Sequence, residues 1–282
     1  MPTVSRPSSG REQLQPCEPG RSVNLTGELA FALRLADIAD ALTLPFYERR
    51  AFTVDRKPDR SEVTEADRQT EAALRAMVAE TFPKHGFFGE ESGVSGNLAS
   101  PWRWIVDPID GTSNFVRGIP VWATLIALSH ADRGPVVGVV SAPAMLRRWA
   151  AAVGLGASVN GLPMRVSTID NLSDAQVCVT HSTGWDAIGL TARLVQLQQG
   201  AYRSRGFGDF WQHMLVAEGA MEIAVDAIGV QPYDLAAVQV VVEQAGGTFT
   251  DRLGVRTFES NSAVSSNGLL HHEAISRLAP NN

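Results

Sequence analysis

Near the middle of the chain the apolar run Trp104-Ile105-Val106 leads straight into Asp107-Pro108-Ile109-Asp110-Gly111-Thr112-Ser113-Asn114-Phe115. The run reads as a strand with one carboxylate at its end and a second three residues later, at a turn containing Gly111. Two acids are thereby held close together at a strand terminus. At about 4 Å, two carboxylates repel by about 4 kcal/mol at an effective dielectric of about 20. Any fold that orders this strand has to offset that cost. The local alternative is an Asx turn in which each Asp bonds neighbouring amides, and the motif alone does not separate the two.

Composition allows a large ordered core around such a strand. The chain has 282 residues, 44% apolar and 19% charged, which excludes disorder for most of its length. It carries 24 Lys and Arg against 30 Asp and Glu, a net charge of −6, and the basic residues form no run or stripe. Nucleic acid and anionic membrane surfaces are therefore poor candidate partners. Two cysteines, Cys17 and Cys178, make neither a disulfide framework nor a zinc knuckle, which favours a reducing compartment. Residues 1–25, rich in Pro, Ser, Gly and charge, read as a flexible tail rather than a signal peptide. No stretch reaches the roughly 18 apolar residues of a membrane span, and the expectation is a cytoplasmic protein.

From Thr26, apolar residues recur at spacings of three and four through Leu29, Leu33, Ala36, Ala39 and Leu42, predicting a helix that ends near Pro45. Thr64-Glu65-Ala66-Asp67 has capping-box spacing and opens a second helix that runs to Phe82, before Pro83. Strand-like runs follow at 104–107, 122–129, 136–141, 149–153 and 157–159, the last closed by Asn160-Gly161. The final third alternates strands at 177–181, 221–225, 248–250 and 263–265 with helices at 190–198, 209–219, 234–244 and 272–278. On this reading Asp209 and Asp234 are helix N-caps. Helix pairs interleaved with mixed sheets imply a layered α/β (α+β) domain over 26–282, which can divide into lobes at about 26–170 and 171–282.

Three more acidic segments have bland readings when taken singly. Glu90-Glu91, after Phe87-Phe88-Gly89, would be a solvated loop, Asp67 a capping-box acid, and Asp234 a helix cap. Taken in order, they form a set: Asp67, Glu90-Glu91, Asp107-Pro-Ile-Asp110-Gly-Thr-Ser-Asn, then Asp234-Leu-Ala-Ala ahead of Glu243-Gln-Ala-Gly-Gly. That set resembles the inositol monophosphatase family of metal-dependent phosphatases, from about Gly27 to the C-terminus.

The resemblance implies an α/β/α/β/α sandwich with mixed sheets, a homodimer, and two or three Mg²⁺ per site, with Mn²⁺ as an alternative. All candidate donors are oxygens, with no Cys or His inside the motifs, which suits a hard cation rather than Zn²⁺. By resemblance, one metal is assigned to Glu90, Asp107 and the carbonyl of Ile109, and a second to Asp107, Asp110 and Asp234. A third, weaker ion is held partly by Glu90. Thr112 and Asp67 are expected to orient the attacking water, Glu91 to support them, and the amides of Gly111 and Thr112 to hold the phosphate. Hydrolysis of a phosphate monoester is then an in-line displacement without a phosphoenzyme. The covalent haloacid-dehalogenase-type motif, Asp-x-Asp-Gly-Thr, sets its acids one residue closer and lies near the chain start.

Gly208-Asp209-Phe210, following Arg203-Ser204-Arg205, is similar to the branch of that family that hydrolyses histidinol phosphate, as is the stretch at 115–123. Asp110, Asp209, Asp234 and Arg205 become candidate substrate contacts, because a carboxylate suits a leaving alcohol carrying an ammonium and an imidazole. Two positions depart from the family: Tyr233 stands where Trp is usual, and Ala227, beside Asp226, where many relatives have a substrate-touching Glu. The alternatives are inositol 1-phosphate or a broad set of sugar phosphates and, outside enzymes, an interaction module for the transcription machinery. His85, His130, His181 and His213 lack metal spacing and read as structural, and Gly154-Leu155-Gly156 follows no βα pattern that would make it a nucleotide loop.

Overall fold

The computed structural model describes residues 24–57, 61–180, 183–226 and 228–279. Of the expected tail, residues 1–23 lie outside the described residues, and Leu25 is already buried at the start of the first helix. That helix, α1 (Thr26–Arg49), buries Phe31, Ala32, Leu35, Ala36 and Ala39 on the face its apolar spacing marks out. It does not end near Pro45 but continues to Arg49, with Arg50 closing it in a left-handed conformation. Proline costs the preceding turn a hydrogen bond. Packing outweighs the loss: Leu44, Phe46 and Tyr47 lie against buried Phe115 and Trp122, and the Tyr47 hydroxyl donates to the Gly118 carbonyl at 2.9 Å.

A short antiparallel pair, β1 (Val54–Arg56) and β2 (Glu62–Thr64), leads into α2 (Glu65–Thr81). Then come β3 (Gly86–Gly89), β4 (Gly93–Gly96), β5 (Trp102–Asp110), α3 (Thr112–Arg117), β6 (Ala123–His130), β7 (Gly134–Ala142), β8 (Arg147–Ala152), β9 (Gly156–Val159) and β10 (Leu162–Pro163). Eight of these strands form a sheet in the order β10-β9-β8-β7-β6-β5-β3-β4, antiparallel except where β3 runs parallel to β5. Strand alternation sorts its side chains. Trp104, Val106, Ile126, Leu128, Val137 and Val139 pack beneath α1 and α2, whereas Ile105, Leu125, Ala127 and Val140 face the other way. Residues 154–156 turn β8 back into antiparallel β9, so no helix follows them.

The remaining chain builds a second sheet: β11 (Gln176–Val179), α4 (Thr183–Ala187), α5 (Thr191–Gly200), β12 (Arg203–Arg205), α6 (Asp209–Ala217), β13 (Ile223–Asp226), α7 (Pro232–Gln244), β14 (Thr248–Thr250), β15 (Ala263–Ser266) and α8 (His271–Leu278). The order is β12-β11-β13-β15-β14, with β11 parallel to both neighbours. The expected strand at 177–181 ends at Val179, and His181 lies outside the described residues. Helices α6 and α7 lie between the sheets, where Phe210, Met214, Leu235 and Val241 share a core with Ile105, Val140 and Phe249. Leu194 and Leu197 of α5 and Ala274 and Leu278 of α8 cover Val177, Val179, Ile223 and Val225 on the outer face. The layers run α1/α2, first sheet, α6/α7, second sheet, α5/α8, the α/β/α/β/α order that the family resemblance implies. Among the described residues no helix is long and apolar enough to cross a membrane.

Candidate active site

The end of β5 carries its two acids to where α3, α6 and α7 begin. Asp107 is buried and its Oδ1 accepts from the Ile109 N–H at 2.9 Å, the Asx-turn contact that sequence offered as the alternative. The turn and the site therefore coexist on one side chain. The β5–β6 register shifts between Asp107 and Asp110. Asp110 Oδ2 accepts from the Phe210 N–H in the first turn of α6 at 2.7 Å. Gly111 follows with φ +80°, a conformation that glycine adopts without strain, and turns the chain into α3. Asp234 is not the N-cap of α7: Gln231 is, and Asp234 sits at the third helical position, its Oδ2 accepting from the Gln231 N–H at 2.7 Å. Asp107, Asp110 and Asp234 each present an oxygen within 4.8 Å of the other two.

Burial raises all three carboxyls. Asp107 is pushed well up by burial and then by the charges of Glu90, Asp110 and Asp234. Asp110 is raised by burial and then by Asp209 and Asp234, and Asp234 by burial to about 7. Three such groups ionise together only beside a compensating cation, and with oxygens as the only donors that cation is a hard one. The residues present thus fit a divalent ion of the Mg²⁺ or Mn²⁺ kind.

Around the trio stand the other acids. Asp67 is fully buried, and its Oδ2 accepts from the Thr64 N–H at 2.8 Å and the Thr64 hydroxyl at 2.5 Å, completing the capping box. Its Oδ1 is left facing the Thr112 hydroxyl at 3.3 Å, and that hydroxyl also donates to the Ile109 carbonyl at 2.9 Å. Burial, opposed by the Thr64 hydrogen bonds, lifts Asp67 to about 6. Glu90 and Glu91 are bridged by Lys57, whose Nζ lies 2.7 Å from an oxygen of each. Burial works against the Lys57 charge, but the two glutamates outweigh it and raise its pKa. Glu91 is itself raised by burial.

Beside the trio opens a cavity of about 220 Å³ whose lining includes Asp110, Asp209, His213, Asp226 and Asp234. Asp209 does not cap α6. Gly208 precedes the helix, Asp209 has φ +48°, and its Oδ2 accepts from Asn114 Nδ2 at 2.8 Å. Asp209 is exposed as a residue, but the groups packed around its carboxyl and then the charge of Asp226 raise it above the ordinary carboxylate range. Sequence reasoning passed over the pair behind it. Asp226 accepts from Gln212 Nε2 at 2.7 Å and lies 2.8 Å from His213 Nε2, while His213 Nδ1 is 2.7 Å from Ser265 Oγ. Only the packing of α6 on β13 and β15 brings these groups together; the one trace in the sequence was an Asp beside the position where relatives carry Glu. Ala227 lies outside the described residues.

Arg205 is not brought to the site. It lies exposed on edge strand β12, its Nη1 donating to the neighbouring Ser204 carbonyl at 3.1 Å. Tyr233 packs edge-on against Phe88 at 5.8 Å, and burial with the surrounding acids raises its hydroxyl. A second cavity, of about 490 Å³, has Arg56, Glu90, Gly111, Thr112, Arg117 and Asp209 among its lining residues.

A histidinol-phosphatase of Mycobacterium tuberculosis is 47% identical over 256 residues, covering 89% of this chain and 97% of that protein. A histidinol-phosphatase of Streptomyces coelicolor is 41% identical, covering 89% and 96%. Among solved structures, the extragenic suppressor protein suhB of Bartonella henselae superposes with a TM-score of 0.83 at 27% identity, covering 91% of this chain and all of that one. The inositol monophosphatase of Anabaena does so with a TM-score of 0.79 at 26% identity, covering 91% and 96%. The family model described as the inositol monophosphatase family matches residues 26–282, the same span that carries the ordered acids and all five layers, and the chain belongs to that family.

Proposed function

We propose that this phosphatase hydrolyses L-histidinol phosphate to L-histidinol and inorganic phosphate, with two or three Mg²⁺ held by Glu90, Asp107, the Ile109 carbonyl, Asp110 and Asp234. The observation that carries the substrate assignment is the cavity beside the trio, where Asp209 and Asp226 add two carboxylates to those of Asp110 and Asp234. A leaving alcohol bearing an ammonium and an imidazole finds charge-assisted partners there, and a neutral polyol finds no charge to pair. The two relatives named histidinol-phosphatase support the same choice.

A hard divalent ion at the trio supplies Lewis acidity, drawing charge from the phosphoryl and leaving oxygens and acidifying water. The chain's own groups do the rest. Asp67 Oδ1, with its companion oxygen committed to Thr64, is the atom that takes the proton from the attacking water, and its pKa of about 6 suits a base near neutrality. The Thr112 hydroxyl, held between Asp67 and the Ile109 carbonyl, fixes the direction of attack. The Gly111 and Thr112 amides, at the turn into α3, hold the phosphate oxygens. Water oxygen bonds to phosphorus as the bond to the alcohol oxygen breaks; the leaving oxygen takes a proton from a solvent water, and Asp67 returns its proton to solvent.

The test is phosphate release from histidinol phosphate, inositol 1-phosphate and fructose 1,6-bisphosphate, with and without Mg²⁺. Histidinol phosphate is expected to give the highest kcat/KM; a clear preference for inositol 1-phosphate sinks the assignment. The same reading takes 26–282 as one phosphatase domain in two lobes and the protein as a cytoplasmic homodimer, which sedimentation velocity tests.

A further inference from the structure

Glu71 belongs to none of the acidic motifs, yet it is 2% exposed and within reach of the site's most irregular segment. It lies four residues after Asp67 on α2, hence on the same helical face. Both of its oxygens are committed: Oε2 accepts from the Glu91 N–H and Oε1 from the Ser92 N–H, each at 2.7 Å. Gly89 adjoins this carboxylate so closely that a Cβ there would collide with it. On the opposite side the Glu90 N–H donates to the Val106 carbonyl at 3.2 Å, one residue before Asp107. The backbone of residues 89–92 is therefore clamped between β5 and one buried anion, and Glu90 and Glu91 project from that clamp toward Lys57.

We infer that Glu71 is a positioning residue for the cation centre: by holding the Glu91 and Ser92 amides it aims Glu90 at the ions that Asp107, Asp110 and Asp234 bind. The inference rests on the cation reading of the site proposed above. Glu71 needs no contact with an ion, because neither of its oxygens is free. Glutamine in its place keeps one acceptor and turns an N–H₂ toward the other amide, releasing half of the clamp while nearly preserving volume.

The experiment is calorimetric Mn²⁺ binding to the full chain freed of cations by chelation, with no substrate present, alongside thermal melting. E71Q is expected to weaken Mn²⁺ binding by about tenfold, the usual scale for losing a group that orients a ligand. G89A, which pushes a methyl group into the same carboxylate, is expected to do likewise and carries the test if E71Q does not fold. L74A, a cavity one turn further along the same helix at a fully buried position in the core with α1, is expected to lower Tm while leaving Mn²⁺ affinity within twofold. Wild-type Mn²⁺ affinity in folded E71Q or G89A overturns the inference, as does an equal loss in L74A. A wild-type chain that binds no Mn²⁺ instead overturns the cation reading itself, and the inference with it.

Discussion

Two acidic clusters stand side by side in this molecule, and they are built differently. In the trio, Asp107, Asp110 and Asp234 each receive a single backbone N–H, from Ile109, Phe210 and Gln231, and otherwise face one another. In the adjoining cavity, Asp209 is held by Asn114, and Asp226 by both Gln212 and His213. The first cluster is under-compensated, which is the ground for proposing a cation there. In the second, two side chains reach Asp226 and one reaches Asp209. On the proposed function the first is the ion site and the second the recognition site, and what separates them is that backbone N–H groups alone reach the first whereas side-chain donors reach the second.

The contrast can be broken most severely at Asp110. Asp110→Asn is expected to lower kcat/KM for phosphate monoesters by about 10³-fold or more at saturating Mg²⁺, roughly 4 kcal/mol of barrier, while raising the Tm of chelator-treated protein because a repelling charge is gone. Wild-type turnover would refute the trio. Asp67→Asn is expected to cost about 100-fold in kcat through loss of the proton acceptor, checked by the pH profile, whose acid limb near pH 6 should vanish.

Next in size is the pH dependence of folding. Asp67 at about 6 and Asp234 at about 7 bind protons more tightly folded than unfolded, so chelator-treated protein is expected to gain stability as pH falls from 8 toward 5. Melting with and without Mg²⁺ checks the sign: stabilisation by the ion should shrink over the same interval, as protons compete for the carboxylates. Asp226→Asn is expected to raise KM for histidinol phosphate about tenfold, an effect of about 1.4 kcal/mol, with kcat nearly unchanged and inositol 1-phosphate unaffected. Smallest of all, Arg205→Ala on edge strand β12 is expected to change kcat/KM by less than twofold.

Asp67 and Asp234 explain why single segments were hard to read. Each sits at the third position of a helix, each gives one oxygen to the N-terminal backbone, and each has a second oxygen for the site. Cap and site reading were never exclusive, because a carboxylate has two oxygens. The four-residue strands β3 and β4, bounded by glycines, escaped notice because so short a run carries no usable period, and they form only by pairing with each other and with β5. Pro45 misled for a comparable reason: its local cost is real, and only the packing of Tyr47 on Phe115 and Trp122 shows it to be outweighed.

By itself the sequence determined the alternation of helices with mixed sheets, because apolar periodicity is written along the chain and survives without coordinates; the order of its acidic motifs carried the family resemblance, which implied five layers and grouped Asp107, Asp110 and Asp234. Only the tertiary structure decided that Asp209 turns away from capping toward Asn114, that His213 and Asp226 form a pair behind it, and that Arg205 stays outside. Those outcomes depend on contacts between α6, β13, β15 and α3, segments up to about a hundred residues apart, whose meeting no local pattern encodes.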